Sequence, residues 1–387
     1  MIILDAKRTP LAPAGGVLKN LSTEGMLSQL ISSLWPQDSM AQNIPDEFIL
    51  GSALAQNAGS GNLARSTVLA SHLPDLTPAI TLNRMEGSSI DAVSMAGHKI
   101  MMGEAQLILA GGVERMSRYS SNIGSPTFGS DIIEKNPDAC VPMLIATEEQ
   151  AAQSSLSRQD LDTYAYESHQ KASKALDDDL FKDEIQPLHW NEKDFGPEGI
   201  RQLETSLSSD EIPRDDLSME MFSKARPSLT NQGLITSMNS APMADGACLA
   251  LLASQSFADS HNIKPLGRFL GSATAACSPA LRGQSSSLAI NKLLDRLDLS
   301  LKDIDLFQIG ENFSYSALSL IQELGLDKNK VNIHGGDIAM GHAMGASGIM
   351  MLTHTLYNLR RNQKKLGLIC ISTAGGMSCV ALVENIL

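Results

Sequence analysis

Glu86 and His342 each stand beside glycine turns and carry side chains able to move a proton. Glu86 lies in Met85-Glu86-Gly87-Ser88-Ser89, where a helix is expected to begin near Gly87. A carboxylate in a first helical turn is favoured by the helix dipole, by a few tenths of a kcal/mol up to about 1. Desolvated, the same group becomes a base. His342, in Gly341-His342-Ala343-Met344-Gly345, belongs to the residue type that changes charge near neutrality. The five cysteines (Cys140, Cys248, Cys277, Cys370 and Cys379) are scattered and form no CxxC or His/Cys pairing. Free thiols are therefore expected, with neither a disulfide framework nor a zinc site.

These residues need strands and helices to hold them, and the pattern is that of an α/β protein. In one stretch, Phe48-Ile49-Leu50-Gly51 ends a strand, a helix begins near Gly87-Ser88-Ser89, and Leu107 to Gly112 forms the next strand. In another, Leu306 to Gly310 ends a strand, a helix begins near Gly345-Ala346-Ser347-Gly348, and Leu368 to Ile371 runs on to Ala374-Gly375-Gly376. The shared order and similar spacing indicate an internal duplication of two α/β halves. Between them, from about Ser117 to Ala244, an Asp-, Ser- and Gln-rich stretch reads as an inserted cap with helices at Thr147–Leu156 and Asp160–Leu176, the latter capped by Ser157.

The chain of 387 residues has 30 basic and 43 acidic side chains, a net charge of −13, and 43% hydrophobic residues. That excess of negative charge argues against non-specific nucleic-acid binding. The longest apolar runs are far shorter than the roughly 18–20 residues of a membrane span, so no transmembrane helix is expected. The start, Met1 to Arg8, reads as a strand ending in charge and lacks the build of a signal peptide, which makes a cytoplasmic location the expectation.

Seven collinear segments carry a resemblance. They are Lys7-Arg8-Thr9-Pro10, Gly61-Asn62-Leu63-Ala64-Arg65, Thr81-Leu82-Asn83-Arg84, Gly111 to Ser117 (GGVERMS), Ser157-Arg158 with Ser168 to Ala172, Asp245-Gly246-Ala247, and Asn332 to Gly348 (NIHGGDIAMGHAMGASG). With them the chain resembles the thiolases, the 3-ketoacyl-CoA thiolase and acetyl-CoA acetyltransferase group, over almost its full length. The resemblance implies an α/β, five-layer αβαβα fold. Its N-terminal half would span 1–116 and be completed by about 245–262. A loop domain that holds coenzyme A in the family would span 117–244, and a C-terminal half 263–387. It also implies a homodimer or homotetramer that uses coenzyme A or acyl-CoA as substrate or ligand, with no tightly bound cofactor and no metal.

In the family, an activated cysteine carries the acyl group, a second cysteine moves a proton at carbon, and a histidine and an asparagine steady an oxyanion. Carried over by position, the nucleophile's place is Glu86, the second cysteine's is Ser372, and the asparagine's is Gly310 in Gly310-Glu311-Asn312-Phe313. Only His342 keeps its type. Cys370, two residues before Ser372 on the same strand face, and Asn312 are the nearest substitutes. The pantetheine-binding run falls on Asn239-Ser240-Ala241-Pro242, where proline replaces a glycine.

A carboxylate attacking a thioester would give a mixed anhydride and is a poor nucleophile at that carbon. The leading expectation is therefore a thiolase-like acyl-CoA-binding protein without ordinary thiolysis. Three alternatives stand beside it. One is an acyltransferase with Glu86 as general base and His342 on the oxyanion. Another is an acyl-CoA hydrolase built on Ser372, His342 and Glu86. The last is a non-catalytic subunit partnering a thiolase or a hydratase/dehydrogenase of fatty-acid oxidation.

Overall fold

The computed structural model describes residues 1–35, 44–55, 61–119, 129–196, 199–281 and 283–386. Residues 120–128 and 197–198 of the expected cap therefore lie outside the described residues. The first part of the chain forms β1 (Ile2–Arg8), β2 (Ala12–Pro13), α1 (Thr23–Leu34), β3 (Glu47–Gly51), α2 (Leu63–Ala70), β4 (Ala79–Leu82), α3 (Ser88–Met101) and β5 (Leu107–Arg115). The inserted stretch holds α4 (Ser130–Lys135), α5 (Met143–Gln153), α6 (Arg158–Asp177), the hairpin β6 (Leu188–Gly196) and β7 (Gly199–Leu207), and α7 (Met219–Lys224). β8 (Ala244–Ala253) and α8 (Gln255–Ser260) follow. The last part forms β9 (Gly267–Ala276), α9 (Gln284–Leu297), β10 (Leu306–Ile309), α10 (Ser314–Leu324), α11 (Asp337–Met340), α12 (Met344–Arg361), β11 (Leu366–Thr373) and β12 (Met377–Glu384).

The main strands run in the order β10-β11-β12-β9-β1-β8-β5-β3-β4. Only two residue pairs, Ile2 with Arg268 and Ile3 with Gly267, join β1 to β9, so the sheet consists of two halves meeting at a narrow seam. The duplication is visible in pairing: β3 lies parallel to β5, and β10 parallel to β11. Helix α3 lies within the first of these crossovers and α12 within the second.

Alternation of side chains along each strand then defines five layers. Ile49, Ile108 and Ala110 of the first half and Ile369, Ile371 and Ala381 of the second share a core with α3 and α12, which form the middle layer. Phe48, Leu50, Leu107 and Leu109 face outward against α1. Leu368, Cys370, Val380 and Leu382 face outward against α9 and α10. Helix α12 is buried along most of its length because sheet or helix lies on nearly every side. Its approach depends on Gly345, where a Cβ would lie 2.6 Å from the Ala53 nitrogen.

The cap helices differ from expectation at their ends. α5 starts at Met143 rather than Thr147, since Pro142 supplies its start, and it stops at Gln153. α6 begins at Arg158, where Ser157 and Asp160 form a reciprocal capping box. The cap is fastened to the sheet by a buried cluster. Arg8 holds Asp210 and Glu184 at 2.7 Å each, and Glu184 also meets His354 of α12 at 3.2 Å. No described helix is long and apolar enough to cross a membrane.

Candidate active site

Glu86 sits on the turn between β4 and α3. Asn83 shapes this turn: its Oδ1 accepts from the Met85 N–H at 2.8 Å, and its Nδ2 donates to the Ala53 carbonyl at 2.8 Å. Met85 takes a left-handed φ of 50°. Glu86 is thereby turned inward, only 2% exposed, and its Oε2 accepts a hydrogen bond from the Ala374 N–H at 2.9 Å. Ala374 follows β11, so this one contact joins the two duplicated halves. The Gly87 Cα lies against Cys379, where an added Cβ would come within 2.5 Å of Sγ.

His342 lies between α11 and α12, and its backbone is clamped to the segment before β8. Its N–H donates to the Pro242 carbonyl at 2.8 Å, and its own carbonyl accepts from Ala244 at 3.1 Å. The imidazole Nδ1 is 2.9 Å from Ser347 Oγ and 3.8 Å from Asp337 Oδ2. Nε2 is buried and has no hydrogen-bond partner among the described residues. Burial holds the imidazole below its ordinary pKa, and the nearby Glu86 carboxylate opposes that fall.

Glu86 and His342 are thus brought into electrostatic reach of each other, but Ser372 is not joined to them. It shares with Cys370 the β11 face that lines a cavity of about 630 Å³, with Gly310, Asn312, Met143 and Ser286. Among the described residues no hydrogen bond links Ser372 to His342 or Glu86. The Ser372-His342-Glu86 arrangement of a hydrolase is therefore not formed. The His342 Nδ1 that such a triad would offer to Glu86 is held by Ser347 instead.

Cys370 is no closer to a thiolate, because burial pushes its thiol up to about 12. Gly310 contributes only its N–H, which donates to the Cys370 carbonyl at 2.8 Å. The Asn312 amide faces the cap helix α5. Its Nδ2 points at Met143 Sδ, 3.6 Å away, and its carbonyl accepts from Ala241.

The carboxyl of Asp337 was missing from the sequence reading. It lies near position 310: a Cβ on Gly310 would be in ordinary contact with Asp337 Oδ2, at 3.6 Å. That oxygen accepts from the Glu311 N–H at 3.1 Å. Burial pushes Asp337 up to about 7, with the Glu311 hydrogen bond acting in the other direction. The only signal in the sequence was an acid within an otherwise small and apolar Gly-rich run, Gly335-Gly336-Asp337-Ile338-Ala339.

Of the Asn239-Ser240-Ala241 run, Asn239 turns fully inward, donating to Asp162 and to the Leu234 carbonyl and accepting from Thr236 N–H. Ser240 Oγ donates to the Thr236 carbonyl at 2.6 Å, and the Ala241 N–H donates to the Asn312 carbonyl. Ser237, Met238, Ser240 and Pro242 form one wall of a groove of about 690 Å³ whose other wall includes His169, Ile212 and Arg214. Pro242 carries this groove to the backbone of His342.

The geometry is that of a known class of fold. Residues 1–256 match the thiolase N-terminal domain and residues 263–385 the thiolase C-terminal domain, so the chain belongs to the thiolase family. It is 30% identical to the mitochondrial 3-ketoacyl-CoA thiolase of Bos taurus, over 100% of this chain and 98% of that one. It is 33% identical to the peroxisomal 3-ketoacyl-CoA thiolase of Saccharomyces cerevisiae, over 99% of this chain and 92% of that protein. The crystal structure of the Bacillus anthracis acetyl-CoA acetyltransferase superposes with a TM-score of 0.89 at 28% identity, covering 100% of this chain and 98% of that one.

Proposed function

We propose that this thiolase-family chain binds an acyl-CoA, with the thioester carbonyl towards Nε2 of His342, and does not carry out cysteine-dependent acyl transfer. The observation that carries the reading is the buried Glu86 carboxylate held by the Ala374 N–H. A carboxylate attacks a thioester carbon poorly, and here it also occupies a backbone donor that an oxyanion at that place would need. The groove along Met238 and Ser240 is the path assigned to the pantetheine arm, and the partner-free Nε2 is the donor assigned to the carbonyl. Relatives named as 3-ketoacyl-CoA thiolases and acetyl-CoA acetyltransferases support the ligand class. A homodimer or homotetramer in acyl-CoA metabolism is the proposed setting.

The test is an incubation of the purified protein with acetoacetyl-CoA, with and without free CoA, following all CoA species by mass spectrometry, beside a calorimetric titration of the same ligand. Binding without turnover is expected. Acetyl-CoA formed only with added CoA would overturn the reading, and so would the absence of binding.

A second reading rests on the placing of the buried Glu86 carboxylate beside His342: Glu86 removes a proton next to the thioester carbonyl while His342 steadies the enolate. Exchange of the ligand's α-protons in deuterated water, lost in Glu86→Gln, separates this from simple binding.

A further inference from the structure

Two groups converge on one edge of His342, and the other edge is left without a partner. Ser347 Oγ lies 2.9 Å from Nδ1, Asp337 Oδ2 lies 3.8 Å from the same nitrogen, and the opposite edge, Nε2, is buried without a partner among the described residues. Asp337 Oδ2 also lies beside Gly310, 3.6 Å from where a Cβ would stand. We propose that Asp337 decides which ring nitrogen of His342 carries the proton, and so whether the Nε2 edge meets a ligand as a hydrogen-bond donor or as a base.

A serine hydroxyl both donates and accepts. With Asp337 neutral, the Ser347 O–H donates to Nδ1 and the ring proton stays on Nε2, ready for a carbonyl oxygen. Once Asp337 has released its own proton, a negative charge stands 3.8 Å from Nδ1. In a buried site that charge draws the ring proton to Nδ1, where Ser347 Oγ now accepts it. The ring keeps one proton throughout, and Nε2 is left with a lone pair. Asp337 is a positioning residue in this scheme. Its burial, which pushes the carboxyl up to about 7, puts the change in the neutral range.

Other charged and titratable groups approach the pair from neighbouring elements. Glu86 approaches from the turn before α3. Glu311, before α10, is fixed by Tyr164, Ser168, Asn332 and the Ile338 N–H. Arg8, Glu184 and His354 line a small pocket together with Asp337 and Ser347. Arg8 and Glu184 are already paired with each other. Asp337 differs from them in standing within 4 Å of the imidazole with a single hydrogen bond of its own, from Glu311 N–H.

The acyl-CoA carbonyl as ligand rests on the preceding reading, whereas the position of the ring proton does not. The test therefore uses the ligand-free protein. Long-range proton–nitrogen correlation spectra of the ¹⁵N-labelled chain report the His342 tautomer, assigned by its loss in His342→Gln, from about pH 6 to about pH 8.5. The wild type is expected to show the Nε2–H form at the low end and a growing Nδ1–H form as the pH rises. Asp337→Asn keeps an acceptor for Glu311 N–H and is expected to hold the Nε2–H form throughout. Asp337→Glu, which moves the carboxylate, is expected to shift the pH at which the two forms cross. Wild-type behaviour in both Asp337 variants would overturn the proposal. A pH response abolished by Glu86→Gln but not by Asp337→Asn would also overturn it. Failure of acetoacetyl-CoA to bind the wild type touches only the reading of the ligand.

Discussion

Glu86 and Ala374 stand 288 residues apart in the chain and are joined by a 2.9 Å hydrogen bond that ties the turn before α3 to the loop after β11. The bond places a carboxylate at the start of the buried α3, where the dipole favours negative charge. It also occupies a backbone donor that the second half presents to the first. With the Gly345 N–H on Glu114 and the Ile349 N–H on Ser89, it is one of the hydrogen bonds that join the two halves near the site.

Removing the carboxylate tests how much it holds. Glu86→Ala leaves the buried Ala374 N–H without its partner, and a loss of about 1–3 kcal/mol is expected in urea unfolding. Glu86→Gln keeps an acceptor oxygen at the same reach, so a loss under about 1 kcal/mol is expected. Equal losses in the two variants would mean that the hydrogen bond contributes nothing.

Gly87 is required for a packing reason. Its φ of −81° suits any residue, but an added Cβ would lie 2.5 Å from Cys379 Sγ and 3.0 Å from Thr373 Cγ2. Gly87→Ala is expected to lower stability by about 1–3 kcal/mol through overpacking. Adding Cys379→Ala removes the nearer atom and should recover part of that loss. Additive losses in the double variant would place the strain elsewhere.

The strand-and-helix order, the duplication and the Ser157 cap were legible because each rests on local periodicity or on a side chain three residues from its target. The face of Ser372 was legible too: Cys370 and Ser372 differ by one side-chain period and line the same cavity. Asp337 was not legible. Its meaning depends on the turn that brings Oδ2 to 3.8 Å from His342 Nδ1 and on its packing beside Gly310. No spacing in the sequence encodes that pair of contacts. The inward turn of Asn239 was not legible either, since its partners, Asp162 among them, come from distant or non-periodic positions.

That difference between Asn239 and Ser240 is measurable. Asn239→Ala breaks three hydrogen bonds in a fully buried place, one of them to the Asp162 carboxylate, and is expected to cost about 2–3 kcal/mol of stability. Ser240→Ala removes a single bond to the Thr236 carbonyl at the groove wall, and a cost of about 1 kcal/mol or less is expected. Acetoacetyl-CoA affinity measured by calorimetry on both variants then separates a groove contact from a scaffold. Ser240→Ala stable but weak in binding marks the contact. Unchanged binding removes Ser240 from the ligand path.

Glu184 and Asp337 contribute to the pH dependence of stability in opposite senses. Burial works against the Glu184 charge, but His354 and Arg8 overcome it and pull the carboxyl down to about 2, from an ordinary 4.5. The unfolded chain therefore binds the Glu184 proton first as pH falls. The stability this group supplies is complete above about 4.5 and is lost as the pH drops towards 2. Asp337 is raised from 3.8 to about 7. Here the folded chain holds its proton longer, so stability is complete below 3.8 and is lost as the pH climbs through 7, at up to about 1.4 kcal/mol per pH unit. Urea unfolding of the wild type should accordingly weaken between pH 4 and pH 7 more steeply than that of Asp337→Asn, whose amide does not titrate. Below about pH 4 the two chains should weaken alike, because Glu184 is present in both. Parallel curves from pH 4 to pH 7 would show that Asp337 is already ionised in the folded protein at acid pH, and that the proton on the His342 edge is set by another group.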